Sequence, residues 1–192
     1  MRKTLVAGLT ALAALMLASG CTNKQGTTES PVFVTVNIDA QPGIVNIADV
    51  APVQISTMTL ASHPKDPGTV DTQGFSDVQV NQYTVVYRRT DGGTLVPPPQ
   101  TFACGVLLPH DGNATLTDFP VLYASALQQS PFSQLLPFNG GLDSQTGRPE
   151  IDTAFDITFY GQTVSGKRVQ SETASGILIF EYVAAAPARA AR

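Results

Sequence analysis

Apolar and polar residues alternate with a period of two along much of this chain. Val32, Val34, Val36 and Ile38 alternate with Phe33, Thr35 and Asn37, the pattern of a strand with one face buried. Val53–Leu60 is rich in β-branched residues but alternates less cleanly. From Val78 onward, Tyr83, Val85 and Tyr87 share one face, and Thr84, Val86 and Arg88 the other. Asp91-Gly92-Gly93 predicts a turn, because glycine permits positive φ, and Leu95-Val96 is expected to begin the return strand. Pro97-Pro98-Pro99 lack the donor hydrogen a central strand needs and suit a polyproline-type connector. Phe102–Leu108 predicts another strand. Beyond Pro109 and an Asp111-Gly112-Asn113 turn, Ala114–Phe119 is expected to pair back onto it. Ile151, Thr153, Phe155, Ile157 and Phe159 share one face of a late strand, opposite Asp152, Ala154, Asp156, Thr158 and Tyr160. A Ser165-Gly166 turn and a last strand over Ile177–Val183 follow.

Helical spacing is confined to Val121–Gln129, begun by Pro120 and stopped by Pro131, with a shorter piece at Phe132–Leu136 before Pro137. These predict one or two helical turns inside a long crossover over 120–149. Seven to nine strands separated by Gly/Pro turns predict an all-β fold, an antiparallel β-sandwich of immunoglobulin-like architecture. The chain has no Trp, and it lacks the cysteine pair of antibody-type domains. The expectation therefore concerns architecture, and architecture alone assigns no function.

Residues 1–21 break the alternation. Arg2 and Lys3 precede an uncharged, almost wholly apolar run from Leu5 to Leu17, then the small residues Ala18, Ser19 and Gly20, then Cys21. A positive start, a short apolar core and a small-residue site mark an export signal. The run falls short of the roughly 20 residues of a membrane span. Leu17-Ala18-Ser19-Gly20-Cys21 resembles the lipobox of bacterial lipoprotein precursors, with Ala18 where leucine is typical. The resemblance implies diacylglycerol on the Cys21 sulfur, cleavage between Gly20 and Cys21, and acylation of the new amino group. It also implies outer-membrane sorting in a host with two membranes, since Thr22 stands where an inner-membrane retention signal has Asp. The expected organisation is a signal peptide over 1–20, a polar tether over 21–31, a β-sandwich domain over 32–183 and a disordered tail over 184–192.

Charge and cysteine count narrow the partners. Removing residues 1–20 takes away two basic residues and no acid, leaving nine basic against 15 acidic residues, a net charge of -6. Basic residues cluster no further than the pairs Arg88-Arg89 and Lys167-Arg168, which argues against nucleic acid as a partner. If Cys21 carries lipid, Cys104 has no partner in the chain; it falls in an apolar strand and reads as a buried, inert thiol.

The chain contains no Gly-x-Ser-x-Gly, HExxH, CxxC or Walker pattern, motifs that place a nucleophile, metal ligands or a phosphate cradle. His63 and His110 each adjoin a proline and read as turn residues; a shared metal site would need a third ligand. Asp66, Asp71 and Asp77 flank one loop and Asp111 and Asp118 another, without the order of an EF-hand. Asp152 and Asp156 share a strand face, too far apart for a glycosidase pair. Tyr83 and Tyr87 point to the core margin, and Tyr123, Tyr160 and Tyr182 are the other candidates for stacking on a ligand. The expectation is a membrane-anchored, non-catalytic envelope lipoprotein whose β domain binds a protein partner or contributes to a surface assembly. It needs no cofactor or metal, and its one assigned site is the lipidated Cys21. A carbohydrate or small-ligand module is the alternative, and a hydrolase comes third.

Overall fold

The computed structural model describes residues 29–40 and 43–184. The expected signal peptide over 1–20, the lipidation site Cys21, most of the tether and most of the tail lie outside the described residues. Nine strands form among the described residues: β1 (Val32–Ala40), β2 (Gly43–Asn46), β3 (Val53–Pro64), β4 (Val78–Arg89), β5 (Gln100–Leu108), β6 (Asn113–Leu122), β7 (Glu150–Thr163), β8 (Arg168–Gln170) and β9 (Ala174–Glu181). They make an all-β, sandwich-like domain of two sheets, ordered β1-β3-β6 and β2-β9-β7-β4-β5, with β8 on β7. All named pairings are antiparallel except β2 with β9. Among the described residues the helical content is slight: α1 (Ala124–Leu127) and two 3₁₀ turns, Phe132–Leu135 and Pro137–Asn139.

The core follows the period-two pattern. Tyr83, Val85 and Tyr87 of β4 and Ile151, Phe155, Ile157 and Phe159 of β7 are buried, facing Ile55, Met58 and Leu60 of β3. In β3 the inward phase switches from odd to even positions across Ser56-Thr57, which is why its alternation looks irregular in sequence. Two tyrosines tie the sheets together. The Tyr83 hydroxyl donates to the Pro120 carbonyl at 2.6 Å and the Tyr87 hydroxyl to that of Val121, and burial raises both phenols far above their ordinary value. Burying these rings is favourable because their polar tips find acceptors. Gly161 sits where β7 passes the bulge at Asn81 of β4. A Cβ there would collide with the Gln79 carbonyl, so the close approach demands glycine.

Three local expectations are corrected. Leu95-Val96 is not the return strand; the chain runs irregularly to Gln100 before β5 pairs with β4. The triproline delays pairing, since it offers no ladder donors. Ala114–Phe119 does not pair back onto Phe102–Leu108. Asp111, at φ 54°, and Gly112 turn the chain across to the other sheet, where β6 pairs with β3, Thr117 opposite Thr57 and Thr115 opposite Thr59. Val121 and Leu122 are not helical but end β6, their side chains buried in the core. The helix expected over Val121–Gln129 shrinks to the single turn of α1. Packing also begins before Val32: Ser30 is buried, and its hydroxyl donates to the Val32 carbonyl at 2.8 Å.

The register sorts the domain into two ends. At one lie the start of β1, the 65–77 loop, the turn between β5 and β6, and the turn after β7. At the other lie the 90–99 segment, the 123–149 crossover and the end of β9. β4, at about 3.3 Å per residue, separates them by roughly 36 Å.

Candidate functional site

The residues singled out for chemistry do not converge. His63 lies on β3, its Nε2 3.1 Å from the Thr35 hydroxyl and its ring 5.1 Å from that of Phe33. His110 sits in the β5–β6 turn, its backbone N–H donating to Asp77 at 2.8 Å. No group of three or more His, Cys, Asp or Glu residues able to hold a metal ion occurs among the described residues. Cys104 is free and half-buried rather than fully enclosed, and burial pushes its thiol up to about 11. A thiol so raised stays protonated near neutral pH, which is the wrong state for a nucleophile.

The loop acids serve their own loops. Asp66 accepts from the Gly68 N–H. Asp71 accepts from Gln73 and Ser76, and the Ser76 N–H leads in holding its carboxyl down to about 2. Asp111 and Asp118 occupy positive-φ backbone positions, where aspartate is among the tolerated residues. Asp152 pairs with Arg148 at 2.9 Å, and Asp156 with Arg88 at 3.6 Å. Asp152 and Asp156 are thus each paired with an arginine and not with each other.

The strongest electrostatic feature had no sequence signal. At the crossover end, Arg89 is enclosed with two carboxylates, their side chains 0–1 % exposed. Its Nε and Nη2 donate to the two oxygens of Asp91 at 2.8 and 2.7 Å, and Nη2 also reaches Asp143 at 2.9 Å. Backbone donors fill further acceptor positions: Gly93 and Asp152 on Asp91, Thr146 on Asp143. Burial alone would raise the Asp91 carboxyl; these hydrogen bonds outweigh it and hold it at about 2. The cluster joins the 90–95 segment to the 143–148 loop, and Gln145 adds acceptor contacts to the N–H groups of Thr94 and Leu95.

Two surfaces among the described residues bear on binding. Beside the braced 90–95 segment, Pro97, Pro98, Gln100, Tyr123, Ser125 and Gln129 border a cleft of about 250 Å³. Tyr123 is 45 % exposed. It rests on Phe102 at 4.4 Å, its hydroxyl donates to the Thr101 carbonyl, and its N–H donates to the Gln100 carboxamide. Tyr83 and Tyr87 are spent in the core, whereas Tyr123 lines a cleft. The second surface is the outward face of β2-β9-β7-β4. Ile44 pairs with Ile179, Ile177 with Ala154, and Ala154 with Arg88, while Asp156 lies between Ser175 and Val86. Ile44, Ile177 and Val86 are 61, 54 and 45 % exposed. A depression of about 310 Å³ runs past Arg88, Ala154 and Ile177. An aliphatic patch with a charged margin has the composition of a protein-contact surface.

No family model matches the chain, and no match was found among curated proteins or solved structures. No helix among the described residues is long and apolar enough to cross a membrane.

Proposed function

We propose that this chain is the precursor of an envelope lipoprotein, held at a membrane by lipid on Cys21, whose β domain is a non-catalytic module that binds a protein partner or contributes to a surface assembly. The aliphatic face of Ile44, Ile177 and Ile179, margined by Arg88 and Asp156, is the observation that carries the partner reading. Scattered exposed aliphatics are ordinary, but Ile44, Ile179 and Ile177 are adjacent on the neighbouring strands β2 and β9, with Ala154 beside them on β7, and form a patch that association would remove from water. The anchor rests on the order Arg2-Lys3, Leu5–Leu17, Cys21. One acyl chain binds a bilayer only marginally, so two or three on Cys21 would be needed for firm attachment. In a host with two membranes, Thr22 favours the outer one.

An immunoglobulin-like arrangement belongs to the same proposal. A parallel edge strand on the last long strand, as β2 lies on β9, and a three-stranded facing sheet support it. The described chain joins the domain at Ser30–Val32, the end opposite the crossover. A lipid on Cys21 would therefore leave the crossover end turned outward.

Intact-mass analysis of the membrane fraction tests the anchor: a chain beginning at lipid-bearing Cys21 is expected, and an unlipidated chain overturns it. Crosslinking capture from the native envelope tests the partner. Recovery of one reproducible protein should fall about tenfold or more with Ile177→Asp, the loss typical of a truncated contact centre. Equal recovery with the variant would refute the face.

A further inference from the structure

We propose that the cleft beside Tyr123 binds a single ring of a neutral saccharide. This inference goes beyond partner binding and shares no residue with the sheet face. Four properties of the cleft point the same way. Its volume, about 250 Å³, lies below the roughly 300 Å³ at which pockets for drug-sized ligands begin, and it suits one ring. No charged side chain of the described residues lines it, so an ionic ligand would lose hydration without gaining a counter-charge, an uncompensated cost.

The third property is the ring of Tyr123. Held from behind by Phe102 and tied through its hydroxyl to Thr101, it has little freedom left to lose on binding. With the hydroxyl committed, the ring offers its face. A pyranose has an apolar face of C–H groups that covers such a surface, and Pro97 and Pro98 add rigid apolar walls. Fourth, the Ser125 hydroxyl and the Gln129 carboxamide make no side-chain hydrogen bond with the described residues. Each both donates and accepts, which matches sugar hydroxyls. A polyproline peptide also favours aromatic grooves, but it has no N–H groups and would leave the accepting capacity of Ser125 and Gln129 unused, whereas sugar hydroxyls use both.

The Arg89 cluster explains how such a site is held. It fixes the 90–95 segment that leads directly into Pro97 and Pro98, so the walls are set before a ligand arrives.

The test is a titration of the ¹⁵N-labelled full chain in a zwitterionic detergent, read by amide chemical shifts. Glucose, galactose, mannose and N-acetylglucosamine are the neutral probes, glucuronate the charged one, and a proline hexapeptide the competing class. At least one neutral sugar should shift the amides of Gln100, Tyr123 and 125–129 saturably in the millimolar range. Tyr123→Ala should weaken it about tenfold, the order expected from losing an aromatic contact, while Tyr123→Phe retains binding. Gln129→Ala, which disturbs no internal hydrogen bond, should weaken it severalfold and so guards against a Tyr123→Ala chain that fails to fold. No saturable shift with any neutral sugar would overturn the proposal. So would equal binding of glucuronate, binding of the hexapeptide alone, or shifts that survive both Gln129→Ala and Tyr123→Ala. These outcomes leave partner capture through Ile177 untouched, so the two ideas fail separately.

Discussion

Two arginine clusters lie at the crossover end, built from the same groups and differing in water. Arg89 meets Asp91 and Asp143 with side chains 0–1 % exposed. Arg148 meets Glu150 and Asp152 with side chains 24–41 % exposed. The first exchanges hydration for a bidentate pair, a second carboxylate and backbone donors. The second keeps much of its hydration, and solvent screens its attraction. Breaking one partner of a buried pair strands a charge, whereas breaking an exposed pair returns it to water. The buried cluster therefore fixes the geometry of the 90–95 and 143–148 segments, and the exposed one adds little to stability.

Removing one side of the buried cluster is the most direct way to break that contrast. Arg89→Leu should lower the unfolding free energy by about 3–5 kcal/mol, the cost of stranding a buried partner. That is a large share of the roughly 5–15 kcal/mol available to a domain. Denaturant melts of the variant and the parent chain measure it. A loss no greater than that of Arg148→Ala would show that burial does not separate the clusters.

Acid titration sharpens the same point with a smaller effect. Asp91 is held at about 2 in the folded state, below the ordinary 3.8, so protons bind the unfolded chain more readily. Its contribution is complete above about pH 4 and disappears as pH falls through about 2. Circular dichroism from pH 5 to pH 1.5 should show stability declining in that window. In Arg89→Leu the Asp91 share of that decline should shrink or reverse, because burial then raises the folded carboxyl toward or above its unfolded value and protonation relieves a stranded charge.

Arg148→Ala comes next in size. With its side chain 41 % exposed, it should move the melting temperature by only a small fraction of the Arg89→Leu shift. Raising salt to molar strength should shrink the difference further, because screening acts on solvated pairs. A salt-independent loss would mean that Arg148 acts through packing.

The period-two faces of β4 and β7 were legible because each strand buries one side against the other sheet. The partners of those strands were less so. Ala114–Phe119 follows Phe102–Leu108 after a tight turn, which locally resembles a hairpin, but its matched threonines lie on β3, more than fifty residues earlier. Val121–Gln129 misled for a different reason: its apolar spacing suits either a short helix or the end of a strand. The Tyr83 and Tyr87 hydroxyls bind the carbonyls of Pro120 and Val121, a long-range contact that no local spacing reveals. Tyr123 was visible as a candidate, but the proline walls of its cleft read only as a connector. The buried cluster was hidden because Arg89 and Asp143 are 54 residues apart. Asp91, beside Gly92-Gly93, has the look of a turn residue, a local role that hides its long-range one.

Arg88 and Arg89 carry the contrast to its smallest scale. In sequence they are one basic pair; in β4 they point to opposite sides. Arg89 enters the enclosed cluster, while Arg88 lies on the outer face, 61 % exposed and 3.6 Å from Asp156. At that distance and exposure the ion pair contributes almost nothing to folding. Arg88→Ala should therefore leave the melting temperature unchanged. Because Arg88 borders the aliphatic patch, the substitution should instead weaken partner capture, chiefly by slowing association, since marginal charges steer encounter more than they hold a complex. The check pairs a thermal melt with association kinetics on whichever partner the capture yields. A stable variant with slower association would assign the adjacent arginines separate duties. A destabilised variant, or one with unchanged kinetics and capture, would remove Arg88 from the proposed contact surface.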